Sequence, residues 1–161
     1  MSSAISPAAD VREALQSALV QVAERNCFAF AEAVDDAAFG QLAGATTSWV
    51  CAEVPYRGAF HGVLRVAMPT ALARSLCSRF MGTFDDTAPG DAELLDFTGE
   101  VANMVVGAWL SRAHTSSLFD LSPPVVAVMP EGWQPRPLAG DAPALVAVDD
   151  AAVAAWATGT A

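Results

Sequence analysis

The sequence predicts an α/β protein in which a long N-terminal helix and a second long helix pack on a mostly antiparallel sheet. Two segments repeat apolar residues at helical spacing, over residues 11–22 and 94–108. Short segments rich in Val and Ala come in neighbouring pairs, as the strands of hairpins do. The 161 residues are expected to form one domain over residues 1–161, since one core in a chain of this length can bury about 68–70% of the unfolded surface.

The N-terminal helix is predicted to begin at Ser6-Pro7 and to run to about Asp36. Ser is a good N-cap residue, and Pro suits the first helical position. One apolar face repeats along this helix and consists of Val11, Ala14, Leu15, Ala18 and Val22. Three aromatic residues add apolar surface to its C-terminal half and just beyond it, namely Phe28, Phe30 and Phe39.

An antiparallel hairpin is predicted next. Residues 46–54 are rich in β-branched and aromatic side chains, and Pro55 is expected to end this strand. Tyr56-Arg57-Gly58 would make the connection to a second strand over residues 59–68.

A short helix is predicted between Pro69-Thr70 and Met81-Gly82, because Leu72, Leu76 and Phe80 repeat every four residues. The acidic segment 83–90 contains Pro and Gly, so it is predicted to be a loop.

The most regular helix is predicted from Asp91 to about His114. Its apolar seam consists of Leu94, Phe97, Val101, Val105 and Ala108. Beyond it, residues 121–129 contain Pro123-Pro124 followed by a run of Val and Ala, which predicts a strand.

The C-terminal part is predicted to contain a Pro- and Gly-rich loop over residues 130–143, which holds Trp133. Residues 144–148 and 153–157 would form a terminal hairpin around Asp149-Asp150. Because the second of these segments is rich in Ala, a helical turn is an alternative for it.

The charge balance excludes two classes of partner. The chain has 18 acidic and 8 basic residues, all of them Arg, and a net charge of −10. Because the arginines are scattered among acidic residues, neither nucleic acid nor a membrane surface is expected as a partner. No apolar run is long enough for a transmembrane helix and no targeting signal is recognised, so we expect a cytoplasmic protein.

Cysteine and histidine positions predict neither a metal site nor a hydrolytic triad. Cys27, Cys51 and Cys77 are widely spaced among apolar residues, which is typical of buried free thiols. His61 and His114 have no Ser or Cys beside them in a recognisable catalytic motif.

A second stripe runs along the helix that begins at Asp91. Asp96, Glu100, Asn103 and Gly107 fall close together on the helical wheel, displaced by roughly 120° from the apolar seam. Asn is a mediocre helix former, and Gly costs about 1 kcal/mol relative to Ala inside a helix. These residues suggest a functional surface, but an ordinary solvated face remains an alternative.

The spacing Asp96-x3-Glu100-x2-Asn103, with Gly107 beyond it and Pro123-Pro124 further on, resembles the signature of the CheC/CheX/FliY phosphatases of bacterial chemotaxis. The signature occurs once here, as in CheX-type members of that family.

The surroundings of the signature are similar as well. Residues 62–69 and 71–82 resemble the strand–Pro–helix–Gly unit of that family, and the whole resemblance covers about residues 46–129. It implies a CheX-like fold. It also implies a phosphatase activity that hydrolyses the phospho-aspartate of a CheY-like response regulator.

Roles for individual residues follow from the resemblance. Asn103 would orient the attacking water, since an amide offers one acceptor and two donors without being ionised. Glu100 would pair with the partner's phosphate-site Lys, and Asp96 would extend the partner-binding face. Gly107 would let the partner's backbone approach. No cofactor of its own is implied, because Mg²⁺ would belong to the phosphorylated partner.

Two further expectations accompany this assignment. The family implies a homodimer, and the apolar strands near the C-terminus are expected to provide the sheet edges that pair. A non-catalytic module that binds response regulators or dimerises is the alternative function, since it would need the same exposed helix.

Overall fold

A computed structural model describes residues 7–82, 89–113, 118–136 and 142–160. Its elements in chain order are α1 (Pro7–Asn26), β1 (Ala31–Ala33), α2 (Asp36–Gly44), β2 (Trp49–Arg57), β3 (His61–Pro69), α3 (Thr70–Met81), α4 (Asp91–Ala113), β4 (Asp120–Leu121), β5 (Val125–Val128), β6 (Ala144–Val148) and β7 (Ala151–Thr160). The predictions for Ser6, for His114 and for most of the acidic loop, residues 83–88, lie outside the described residues.

The seven strands form one sheet in the order β1-β6-β7-β3-β2-β4, and β5 pairs with the same strand β2 as β4 does. Every described pairing is antiparallel. Helices α1, α3 and α4 pack on one face of this sheet. The predicted α/β fold, with two long helices on a mostly antiparallel sheet, is therefore confirmed.

Alternating side chains on the strands divide the core between the two faces of the sheet. Val50, Ala52 and Val54 of β2 belong to the core under the helices. Trp49 and Cys51 point to the other face, which α2 and the segment after β5 partly cover. No helix within the described ranges combines the length and apolar character that crossing a bilayer requires.

The N-terminal helix ends at Asn26, so the prediction that it runs to about Asp36 is wrong. Phe28 has a φ of 55°, which reverses the chain direction immediately after the helix. Phe28 and Phe30 are consequently 71% and 69% exposed rather than packed along the helix. Asp35 then caps the unpredicted helix α2, since its Oδ1 accepts the Ala38 amide at 2.8 Å.

Strand β2 continues through Pro55 to Arg57, so Pro55 does not end it as predicted. The Pro55 carbonyl accepts a hydrogen bond from the Ser122 amide at 2.9 Å, on the side of the short strands β4 and β5. The nitrogen and carbonyl of one residue face the same neighbouring strand in an antiparallel sheet. The nitrogen of Pro55 therefore faces the outer edge of the sheet. Its lack of an N–H is tolerated there, because no long strand lies on that side to accept a hydrogen bond from it.

The C-terminal hairpin is confirmed, and the helical alternative for its second half is wrong because β7 is a ten-residue strand. Asp149 and Asp150 make the turn with φ values of 47° and 65°, the conformation that tight two-residue hairpins favour. Strand β7 lies between β3 and β6, and β6 is itself covered by β1. The apolar C-terminal strands, which are expected to be edges that pair with another chain, thus lie inside the sheet. The outer strands are β1 on one side and β4 and β5 on the other.

All three cysteines are free and buried, as predicted. Burial raises the pKa of the Cys27 and Cys51 thiols to about 11 and also raises the pKa of Cys77.

Candidate functional site on helix α4

Helix α4 is fixed at its N-terminal end by α3. The Arg74 guanidinium donates to the Asp91 carboxylate and to the Pro89 carbonyl, each at 2.9 Å. Almost two turns further along, the rings of Phe80 and Phe97 lie 5.6 Å apart. These contacts hold the N-terminal half of α4 against α3 and so fix which side of the helix is exposed.

The C-terminal half of α4 is held by the sheet and by α1. Trp109 packs edge-to-face on Tyr56 of β2, with the ring centroids 5.5 Å apart. Arg112 donates a hydrogen bond to the Gln21 side chain of α1. Since both halves are anchored, the side chains that remain exposed stand on a rigid support.

Four of the five residues of the predicted apolar seam are buried, since Leu94, Phe97, Val101 and Val105 are at most 5% exposed. The fifth, Ala108, is partly buried. The buried surface is wider than the seam, because α4 packs on both the sheet and α1. It also includes Thr98, Ala102, Val106, Trp109 and Leu110. Only a narrow part of the helix circumference is left to solvent.

The predicted polar stripe occupies that solvent-exposed part. Asp96 and Glu100 are exposed, and Asn103 and Gly107 are partly exposed. Among the described residues, none forms a hydrogen bond or ion pair with the side chains of Asp96, Glu100 or Asn103. Apart from its chain neighbours and the backbone of its own helix, a Cβ atom added to Gly107 would meet no atom within 4 Å. The four residues therefore make one continuous and unobstructed line.

The stripe is unfavourable for an isolated helix. Asp96 and Glu100 are like charges at i,i+4, which destabilise a helix by about 0.2–0.5 kcal/mol. Gly107 adds a further cost of about 0.5–1 kcal/mol relative to Ala. Because no internal contact of the described structure offsets these costs, the residues are available for contacts with another molecule.

Gly99 is a structural residue of the site that the sequence analysis missed. A Cβ atom on Gly99 would lie 2.9 Å from Cγ of Pro124 and 3.2 Å from Cγ2 of Val126. The absence of a side chain thus lets α4 lie directly on β5 and on Pro124 before it. A glycine in the middle of an otherwise regular helix was the signal that could have identified this contact.

The described residues contain no group of three or more His, Cys, Asp or Glu side chains placed to hold a metal ion. The stripe contributes two carboxylates and one amide, all from a single helix. These groups can accept and donate hydrogen bonds and attract a cationic side chain.

Fold and stripe together define a class of protein. Its members carry helices on one face of an antiparallel sheet, and one helix displays a rigid line of carboxylate, amide and glycine to solvent.

The chain belongs to the CheX family. The family model described as "Chemotaxis phosphatase CheX" matches residues 50–131, which run from β2 through α4 to just beyond β5. The match therefore includes the whole stripe. The resemblance to the CheC/CheX/FliY family, with the CheX type favoured, is confirmed.

Solved structures agree with this assignment. The chain is similar to the chemotaxis protein CheX from Vibrio vulnificus, with a TM-score of 0.71, 16% identity, and coverage of 97% of this chain and 100% of that chain. A CheX from Desulfovibrio desulfuricans gives a TM-score of 0.67 at 15% identity, covering 94% and 99% of the two chains.

A third similar structure is the CheX–CheY–BeF3–Mg²⁺ complex from Borrelia burgdorferi. Its TM-score is 0.55 at 15% identity, covering 92% of this chain and 97% of that chain. At these identities the likeness is one of fold. No curated protein sequence matches the chain.

Proposed function

We propose that the chain is a phosphatase that hydrolyses the phospho-aspartate of a CheY-like response regulator. The observation that carries the proposal is the open line of Glu100, Asn103 and Gly107 on an anchored helix. The family description names a chemotaxis phosphatase. A similar structure is a CheX bound to CheY, and this supports a response regulator as the partner here.

Asn103 is the residue proposed to orient the attacking water. Phosphoryl transfer demands little covalent chemistry from the protein and depends on a positioned nucleophile and balanced charge. The Asn103 amide can accept a hydrogen from water and donate to a phosphate oxygen at the same time. The water oxygen would bond to phosphorus, and the regulator's aspartate oxygen would leave as a carboxylate with the bonding electrons. The proton lost by the water would pass to an oxygen of the phosphate released.

Glu100 is proposed to dock the helix on the regulator by pairing with the Lys of its phosphate site. Residues three apart on a helix are neighbours, so Glu100 and Asn103 can reach adjacent groups of one partner. Asp96 would extend the same contact by one turn, and Gly107 would let the partner backbone approach closely. The proposal assigns no cofactor to this chain and assigns the Mg²⁺ to the phosphorylated regulator.

The experiment phosphorylates candidate regulators with a small phosphodonor and follows decay of the phospho-aspartate with and without this chain. The proposal expects decay to accelerate for at least one regulator. A chain that binds a phosphorylated regulator without accelerating its decay would overturn the phosphatase assignment. That outcome would instead establish the alternative, a non-catalytic binding module.

A homodimer is part of the proposal, with β5 as the strand that pairs. Val125 and Val128 of β5 are 64% and 50% exposed, and no other described strand pairs with its outer side. An apolar strand with an unpaired edge favours pairing with another chain. Light scattering after size exclusion should give a dimer that Val128→Lys dissociates. A monomer at micromolar concentration would contradict this part of the proposal.

A further inference from the structure

A cavity of about 580 Å³ lies on the face of the sheet opposite to α4. Its floor is a row of three side chains that are direct neighbours across the strands, Glu53 of β2, Arg65 of β3 and Trp156 of β7. The segment over residues 129–136 forms its wall. This cavity shares no residue with the stripe on α4.

Arg65 is held in place at the floor of the cavity. Its Nε donates to Oε1 of Glu53 at 3.0 Å, and one terminal nitrogen donates to Oγ1 of Thr158 at 3.1 Å. A guanidinium has five N–H groups, so three remain without a partner among the described residues. The Arg65 side chain is 29% exposed, which leaves these groups accessible from the cavity.

The wall is anchored without any ligand. The Met129 amide donates to the Trp49 carbonyl at 2.8 Å, and Trp133 packs edge-to-face on Trp49 with centroids 6.1 Å apart. The Gln134 side chain donates to the Ala43 carbonyl at 3.4 Å. The cavity is therefore preformed, which reduces the entropy cost of binding a small molecule.

The charge of the cavity is opposite to that of the protein. Arg65 and Arg136 line it together with the single acidic residue Glu53, whereas the whole chain carries a net charge of −10. Arg136 is exposed, and no described residue pairs with its guanidinium. Arginine binds phosphate and carboxylate groups through paired hydrogen bonds. The cavity lining therefore carries a net charge of +1, which favours an anion.

Trp133 indicates what else the ligand contains, since it is partly exposed, whereas Trp156 is only 5% exposed. Trp133 and Trp156 both line the cavity, and an indole surface favours a planar ring or an apolar group beside it. The volume falls within the range of about 300–1,000 Å³ that is usual for small-molecule sites.

We propose that this cavity binds a small phosphorylated molecule with a planar ring, of the size and chemistry of a nucleoside monophosphate. The phosphate would lie between Arg65 and Arg136, and the ring would lie against Trp133. Binding here is independent of the stripe on α4, since the two sites are on opposite faces of the sheet.

The experiment titrates the full chain with AMP and follows amide and indole signals by NMR, with adenosine and inorganic phosphate as the separate halves of the probe. Saturable shifts are expected for Trp133, Trp156 and Gly132, and AMP should bind more tightly than either half. Shifts that do not saturate at millimolar AMP, or that fall mainly on α4, would overturn the proposal.

Three variants test the charge argument. Arg136→Gln should weaken AMP binding about tenfold, because one charge-assisted contact is lost. Arg25→Gln is the matched control, since Arg25 is exposed on α1 at the opposite face, and it should bind AMP like the wild type. Glu53→Gln should strengthen binding, because it removes the one negative charge while Gln can still accept from Arg65.

Equal affinity of the Arg136→Gln and Arg25→Gln variants would contradict the proposal. Weaker binding by Glu53→Gln would also contradict it, provided that its unfolding midpoint matches the wild type.

Discussion

Pro124 lies so close to Gly99 that a Cβ atom on Gly99 would be 2.9 Å from the proline Cγ. This contact joins the helix that carries the stripe to the edge of the sheet. Gly99 is on the side of α4 next to the stripe, one turn before Asn103. The contact therefore fixes how α4 rests on β5, and with it the direction in which the stripe faces.

Alanine substitutions at the two glycines of α4 should have opposite effects on stability. Gly107→Ala should raise the free energy of unfolding by about 0.5–1 kcal/mol, because Ala loses less backbone entropy than Gly in a helix and the added methyl group meets open space. Gly99→Ala should lower it by about 1–2 kcal/mol, since the rigid Pro124 ring cannot move aside easily. Urea denaturation of both variants measures this, and shifts of the same sign would contradict the packing described for α4.

Glu100→Gln should weaken binding to a phosphorylated response regulator, because it removes the charge that pairs with the partner's Lys. We expect the difference from the wild type to shrink as salt is added, since exposed charges are screened. Titration calorimetry at two ionic strengths measures this. Glu24→Gln, an exposed substitution on α1, is the control and should bind like the wild type. A loss of affinity that does not depend on salt would contradict the ion-pair role.

The turn between β6 and β7 should make stability depend on pH. Burial raises the pKa of Asp149, but the hydrogen bond from the Phe30 amide and the contacts with Arg79 outweigh it and hold the pKa below its ordinary value of 3.8. The Arg79 guanidinium lies 2.6 Å from the Asp149 carboxylate. The stabilisation is therefore fully present above the unfolded pKa and is lost as the pH falls through the lower folded pKa.

Asp149→Asn should accordingly cost about 1 kcal/mol at neutral pH, and the cost should vanish in acid. Asn tolerates the left-handed backbone at this position, so the variant isolates the charge. Asp150→Asn at the adjacent exposed position should have little effect. Denaturation midpoints from pH 7 to pH 2 measure both, because the stabilisation disappears only once the pH has fallen below the lowered folded pKa. A cost that stays constant over this range would contradict the assignment.

The three thiols should resist modification by thiol reagents in the folded protein. Burial raises the pKa of Cys27 and Cys51 to about 11, and thiolate is the reactive form. A chromogenic disulfide reagent at pH 8 should label the native chain at least about 100-fold more slowly than the chain in guanidinium. Rapid labelling of any one thiol in the native state would contradict the burial of that residue.

Elements with a strong local pattern could be predicted from the sequence. The seam of α4 and the repeat in α3 depend on neighbours three or four residues apart, so periodicity alone identifies them. The segment after α1 cannot be predicted from local pattern, because its strand is defined by a distant partner, with Ala31 opposite Val148 of β6. The course of β2 through Pro55 likewise depends on which edge of the sheet the proline faces.

The same distinction applies to the candidate site. The positions of Asp96, Glu100 and Asn103 on one line follow from helical geometry, and the structure places them on the exposed side of α4. What holds that line in position could not be predicted, because it depends on contacts distant in sequence. Arg74 with Asp91 and Gly99 with Pro124 are two such contacts.

The most direct test of the proposed activity compares the decay of a phosphorylated response regulator with wild type, Asn103→Ala and Asn26→Ala. Asn26 is the only other Asn of the chain and is exposed at the end of α1, so it is the matched control. We expect Asn103→Ala to slow the stimulated decay by about 10²–10³, as loss of one positioned hydrogen-bonding group does in other enzymes. Asn26→Ala should match the wild type. A wild type that accelerates decay together with an Asn103→Ala variant that accelerates it equally would contradict the catalytic assignment of Asn103.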